Sequence, residues 1–366
     1  VKLGVNTLFY LPGEVGGSET YLLEILRVWK RSEFAHEVMI FTQLENHERL
    51  SSEFEGEGWS CILSPFAARN RVQRILREQW ELPRRVHAAG VDVLWSPGYT
   101  APIRCSCPQG VSILDMQYKR FPQDLSRVAR WCTELLVQAA ARHAGQLLAI
   151  SEFSKREIQE FTPAPAERIS VTPLAADGAF SLPQQVEPLL DEPYLLCVAN
   201  SYPHKNVDQL IRAYAAVEEE IPQRLVWVGR PRLGEAAVED ALATLKHPER
   251  VLRLSGLSRE QLIDLYQQAD LFVFPSLYEG FGLPVLESLL AGTPVLCTRC
   301  GSLPEVGADM VHYYDPEQDD SLSQALRDVL REGPPQLPAG VAEWTQGFSW
   351  ERCAQQTLAA LEALQR

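Results

Sequence analysis

Glu279-Gly-Phe-Gly-Leu-Pro-Val-Leu-Glu287 decides the reading of this chain. Two carboxylates flank a segment holding two glycines and a proline. Just before it, Asp270-Leu-Phe-Val-Phe-Pro-Ser276 reads as a buried strand ending in a turn. Residues 284–291 read as a helix with proline in the first turn, where its missing N–H does no harm. Gly292-Thr-Pro294 closes that helix, and a further strand begins at Val295. Glu279 therefore falls on a loop at the carboxyl end of a strand, where open α/β sheets bind ligands. Glu287 follows about one turn into the helix, close enough to face the same ligand. Gly280 and Gly282 let backbone approach that ligand, and a helix N-terminus favours an anion there.

Outward from this stretch, strand-like and helix-like segments alternate. Strands are expected at 3–9, 37–42, 91–96, 110–114 and 146–151, and again at 194–199, 224–229, 251–254, 270–275 and 294–298. Helical spacing is clearest at 18–30, with apolar residues at 21, 22, 25, 26 and 29. Further helices are expected at 207–220, 259–268 and 322–331. Such alternation implies α/β architecture with parallel sheets covered on both faces. A Pro-, Gln- and Glu-rich stretch at 181–193 reads as a linker, and a Pro/Gly-rich one at 333–340 precedes a last helix at 350–365.

Composition agrees with two domains. The net charge of -14 is carried wholly by the second half, while residues 1–175 are neutral. An acidic chain is a poor nucleic-acid binder, so no such partner is expected. No apolar run approaches a membrane span and no signal-peptide pattern is visible, which points to a cytoplasmic setting. The eight cysteines lack zinc-ligand spacing. Cys297-x-x-Cys300 has a redox spacing but sits at a strand end, where a structural role fits better.

The Glu279–Glu287 string resembles the E-x7-E signature of retaining nucleotide-sugar glycosyltransferases of glycosyltransferase family 4. Gly16-Gly17-Ser-Glu19, Ile150-Ser-Glu-Phe-Ser-Lys155 and Pro203-His-Lys-Asn206 extend the resemblance over nearly the whole chain. It implies the GT-B fold: two Rossmann-like domains with parallel sheets facing across a cleft. The acceptor-side domain would span 1–180 and the donor-side domain 181–347, with 348–366 crossing back to the first.

The resemblance also implies roles. Glu287 would accept hydrogen bonds from the ribose hydroxyls. Lys205 would hold the diphosphate and stabilise it as it leaves. Glu279 would face the transferred sugar. Amides of Gly16, Gly17, Phe281, Gly282 and Leu283 would bind phosphate or sugar. Many relatives carry an arginine where this chain has Asn200, so either Asn200 or His204 compensates in part or the diphosphate is held differently. Asp115 resembles the aspartate of an acceptor-side His-Asp pair, but Leu114 replaces the histidine. A direct role and a structural cap are equal readings for Asp115. No Asp-x-Asp occurs, and no metal or other cofactor is expected.

The substrates implied are a nucleoside-diphosphate sugar and a glycan or lipid-linked acceptor. GDP-mannose is the first choice of donor and UDP-glucose or another UDP-sugar the second. A nucleotide-sugar 2-epimerase and a two-domain sugar-binding protein are the competing functions. Closure of the domains on the donor is expected to exclude water. One segment stands apart: Arg69-Asn-Arg-Val-Gln-Arg-Ile-Leu-Arg-Glu-Gln-Trp80 places Val72, Ile75, Leu76 and Trp80 on one helical face between arginines. Its plainer reading is a helix with that face toward the core; its other reading is a peripheral contact with anionic lipid at the inner face of a membrane.

Overall fold

The computed structural model describes residues 1–365 apart from Val15, Glu33 and Phe34. The chain divides into two compact units. The first comprises Val1–Leu174 with Ser349–Arg366, the second Ala175–Phe348.

Among the described residues of the first unit, seven strands run parallel: β1 Lys2–Asn6, β2 Glu37–Thr42, β3 Trp59–Leu63, β4 Val93–Ser96, β5 Gln109–Ser112, β6 Gln146–Ala149 and β7 Ile169–Val171. Their order is β3-β2-β1-β4-β5-β6-β7. The chain winds outward from β1 to β3, then returns beside β1 with β4. That reversal makes β1/β4 the switch point of the sheet. The last helix, Trp350–Glu362, belongs to this unit, and Trp29 Nε1 donates to the Ala354 carbonyl at 3.1 Å. Gly110 of β5 packs directly under the end of the Leu361 side chain, which would have to shift to admit a Cβ there.

The second unit repeats the scheme with six parallel strands: β8 Tyr194–Val198, β9 Arg224–Val228, β10 Val251–Leu254, β11 Leu271–Phe274, β12 Val295–Thr298 and β13 His312–Tyr314. The order is β10-β9-β8-β11-β12-β13. Its switch point lies between β8 and β11, so the loops after these two strands are neighbours at the carboxyl edge. Leu195, Leu196, Phe272, Phe274 and Leu296 are fully buried. Their strands read as continuous apolar runs because both faces are covered. Each buried phenylalanine contributes about 1.5–3 kcal/mol.

These paired parallel α/β sheets are the two Rossmann-like domains of the GT-B fold. Strands β3, β7 and β13 were not expected, and all three are edge strands, short and only partly buried. The chain passes to the second unit ahead of residue 180. The reason is local: Phe180 packs edge-on to Tyr266 at 5.4 Å, and Gln267 Nε2 donates to the Phe180 carbonyl at 2.8 Å. Cys297 is fully buried in β12 and burial pushes its thiol up, which fits a structural residue. All eight cysteines are free.

Helix Arg71–Trp80 overturns the plainer sequence reading. Its one buried residue is Glu78, while Val72, Leu76 and Trp80 are exposed. The apolar stripe faces outward.

Candidate functional site

The loop after β8 runs through Asn200 into a 3-10 turn, Pro203–Lys205, and Asn206 enters the next helix, Val207–Ala215, from the left-handed region. The loop after β11 carries Glu279 and ends at Gly282, also left-handed (φ 99°), which starts helix Leu283–Ala291. Backbone bonds stitch the two loops together. Leu277 N donates to the His204 carbonyl at 2.8 Å, and Ser276 Oγ reaches the same oxygen at 3.4 Å. Lys205 and Glu279 thus meet at the switch point, with Nζ 2.5 Å from Oε1. Lys205 Nζ also lies over the Phe274 ring at 5.5 Å. Both side chains are largely buried but keep some exposure, 21% for the lysine and 10% for the glutamate. An ion pair held this way is screened less than one on the open surface.

A third loop shapes Glu279 from behind. Gly301, after β12, has φ +62° and sits so close that a Cβ would be 2.6 Å from the Glu279 carbonyl oxygen. Ser302 N and Oγ donate to that oxygen at 3.1 and 2.9 Å. Only glycine satisfies both the angle and the approach.

Glu287 lies on the same helix that Gly282 starts. Its Oε2 accepts from the buried Tyr266 hydroxyl at 3.2 Å. Burial pushes its carboxyl up to about 7, against the pull of the Tyr266 hydroxyl and the Arg259 charge. Between Glu279 and Glu287 the amides of Phe281, Gly282 and Leu283 have no acceptor among the described residues, as expected at a helix N-terminus. Phe281 itself is buried edge-on against Phe348 at 5.9 Å. It anchors the loop while its backbone stays available.

The two residues expected to compensate in part for the missing arginine are each engaged within the protein. Asn200 Oδ1 accepts from Arg230 N at 2.9 Å, so it pins the loop after β9. His204 is buried and stacked on Tyr202 at 5.6 Å. Burial, with the Lys205 charge beside it, depresses its pKa to about 3, so the ring is neutral and offers a phosphate no charge. The loop that Asn200 pins carries Arg230 and Arg232, both exposed. The sequence reading missed them; their signal was Gly229-Arg-Pro-Arg232 directly after a strand.

In the first unit, Gly16 has φ 56° and caps helix Gly17–Arg31 without a side chain, leaving an exposed N-terminus. Glu19 of the Gly-Gly-Ser-Glu motif holds the preceding loop, accepting from Gly13 N at 2.8 Å, Tyr10 Oη at 3.1 Å and Arg49 Nη1 at 2.7 Å. Asp115 accepts from Gln117 N at 3.0 Å and from the Tyr99 hydroxyl at 2.8 Å, the geometry of a loop cap. Leu114, in the histidine's place, is buried. Its carbonyl accepts from Ser154 Oγ at 2.6 Å, and Ser151 caps helix Glu152–Phe161. The Ile150–Lys155 motif is therefore structural at its serines. Among the described residues no three of His, Cys, Asp and Glu come together as a metal site.

Comparison with known proteins places these features. Residues 15–179 match the family model Glycosyltransferase Family 4, and 181–340 match Glycosyl transferases group 1. The O-antigen chain mannosyltransferase B of Escherichia coli is 34% identical over 231 residues, 60% of this chain and 60% of that protein. The MMP alpha-(1->4)-mannosyltransferase of Mycolicibacterium hassiacum is 32% identical over 246 residues, 64% of this chain and 58% of that one. The chain thus spans about three fifths of the length of these curated relatives. Among solved structures, a sucrose-phosphate synthase from Thermosynechococcus elongatus is similar with a TM-score of 0.77 at 17% identity, covering 99% of this chain and 98% of its own. HepE of Anabaena, solved with UDP and glucose, reaches 0.72 at 16% identity, with 99% of each chain covered.

Proposed function

The chain belongs to glycosyltransferase family 4, and we propose that it moves a sugar from a nucleoside-diphosphate donor to a hydroxyl of a glycan or lipid-linked acceptor during polysaccharide assembly. GDP-mannose is the donor we favour, because both curated relatives compared above carry mannosyltransferase names. The observation that carries the reading is the Lys205–Glu279 pair at the β8/β11 switch, with open helix amides running from it toward Glu287.

In this reading the diphosphate lies against Lys205 and the amides of Phe281, Gly282 and Leu283. Glu287 takes the ribose hydroxyls, and Glu279 the sugar hydroxyls. The bond from the sugar C1 to the phosphate oxygen breaks with its electron pair going to that oxygen, where Lys205 meets the growing charge. The acceptor oxygen bonds to C1 on the same face, and its proton passes to the departing phosphate. The product then keeps the donor's anomeric configuration. Lys205 and the helix N-terminus carry the diphosphate charge without a metal. Arg230 and Arg232, on the loop pinned by Asn200, are the candidates for a second cation.

Incubation with GDP-mannose and with UDP-glucose tests this. Release of GDP, coupled to a new glycoside, is expected, and EDTA should leave it intact. Lys205→Ala should lower turnover at saturating donor by two orders of magnitude or so, since the charge it meets peaks in the transition state. Wild-type turnover in a folded Lys205→Ala protein would refute the assignment.

A further inference from the structure

Helix Arg71–Trp80 is built inside out. Val72, Leu76 and Trp80, spaced four apart along one stripe, are 68%, 53% and 65% exposed. The residue it buries is Glu78, whose carboxylate accepts from Asn6 Nδ2 and from Thr100 Oγ1, each at 2.9 Å. A surface helix in water does the opposite. The pattern repeats next door. Helix Arg127–His143 exposes Val128, Trp131 and Leu135 along its first turns while Leu136, Val137, Ala140 and Ala141 fill the core. Arg71 Nη2 ties the two helices together, donating to Thr133 Oγ1 at 2.6 Å and the Ala129 carbonyl at 3.3 Å. Ile103, also exposed, is fixed to the same face by its amide, which donates to Gln79 Oε1 at 2.9 Å. Trp80 and Trp131 are the exposed tryptophans among the described residues.

Arginines surround this face. Arg77, Arg84, Arg104, Arg127 and Arg130 are exposed on or beside the two helices, in a chain whose net charge is -14. An open groove of about 690 Å³ between helix Arg71–Trp80 and helix Leu82–Ala89 is lined by Leu76, Trp80, Arg77, Arg84, Arg85 and Glu81; Glu81 pairs with Arg77 and Arg85, which leaves the groove a net positive charge. No helix among the described residues is long and apolar enough to cross a membrane.

We propose that this face docks on an anionic lipid bilayer. The tryptophans sit at headgroup level, the aliphatic side chains enter the interface, and the guanidinium groups take lipid phosphates. Charge selects this occupant over a second copy of the chain. Two such faces brought together by a twofold axis would oppose arginine to arginine, whereas an anionic surface complements them. The inference does not depend on the donor reading, since every residue in it belongs to the first unit and the Lys205–Glu279 pair to the second.

Flotation of the full chain with phosphatidylcholine vesicles, with and without phosphatidylglycerol, tests it. Partitioning should be about tenfold or more stronger on the phosphatidylglycerol vesicles, fall with added salt, and shift tryptophan emission to the blue. Trp80→Ser with Trp131→Ser should abolish binding and the blue shift while circular dichroism and nucleotide-dependent thermal shift stay unchanged. Arg84→Gln with Arg130→Gln should remove the preference for anionic lipid. Absence of flotation on phosphatidylglycerol vesicles would overturn the proposal. So would flotation unchanged by the paired tryptophan substitution, or a dimer in sedimentation that this substitution abolishes without any lipid binding.

Discussion

Lys205 and Glu279 are paired at 2.5 Å, so in the proposed site a diphosphate competes with a carboxylate for the ammonium. Glu279→Gln should therefore bind free nucleoside diphosphate more tightly, by roughly three- to tenfold, because it removes both the competitor and a repelling charge. The same change should lower turnover, since the sugar loses its carboxylate partner. Calorimetry of GDP and UDP beside a turnover assay separates the two effects; weaker diphosphate binding by the variant would contradict the competition. Glu287 behaves differently because it sits, partly buried, against the Tyr266 hydroxyl with no cation in contact among the described residues. Its carboxyl, pushed up to about 7 from an ordinary 4.5, is uncharged over part of the working range. Ribose hydroxyls donating to it favour the ionised form, so binding should release a proton and affinity should rise as pH climbs toward 7, then level off. In the unliganded protein the raised value acts the other way. The folded chain holds this proton more firmly than the unfolded one, so stability falls as pH rises from about 4.5 to about 7. Glu287→Gln should raise Tm above neutral pH and flatten the pH dependence of nucleotide affinity. Calorimetry in two buffers of different ionisation enthalpy reads the proton directly. At this scale the sequence announced the two glutamates and the lysine by their motifs. It could not announce the pairing, which joins residues from separate strands, nor the burial that shifts Glu287 and neutralises His204.

The loops that position these residues hold one another by backbone. Gly301 shows how tightly: a methyl group there would collide with the Glu279 carbonyl, and its φ of +62° costs any other residue about 1 kcal/mol. Gly301→Ala should displace the Glu279 loop by enough to lower turnover tenfold to a hundredfold, with only a small drop in Tm. A variant of unchanged turnover would show that the Glu279 loop tolerates movement. Most elements were legible in sequence because central strands are apolar throughout and the helices carry strong periodicity. Strands β3, β7 and β13 were not: each is an edge strand of three to five residues with one paired side and little burial, although β10, the other edge strand, was legible from its Val-Leu-x-Leu run. Helix Arg71–Trp80 was read in the right place and turned the wrong way. Periodicity finds the apolar stripe but does not say which medium it meets, and here the core side is fixed by the bonds of Glu78 to Asn6 and Thr100.

The whole chain divides its labour by charge. The second unit holds the net charge of -14 and the Lys205, Glu279 and Glu287 set, while the first is neutral overall and presents arginines around exposed tryptophans. Architecture at this scale was legible because each half repeats the strand–helix alternation. The crossing after Leu174 was less so, since Phe180 joins the second unit through its ring rather than through any linker signal. The central claim is that the β8/β11 switch of the second unit holds the nucleotide. Amide hydrogen exchange across the full chain, with and without GDP and UDP, tests it most directly. Protection is expected at 200–206 and 277–288, with the stronger protection from the nucleotide of the true donor, and it should be lost in Glu287→Ala. Protection confined to Val1–Leu174, with the Lys205 and Glu279 loops unchanged, would contradict the account.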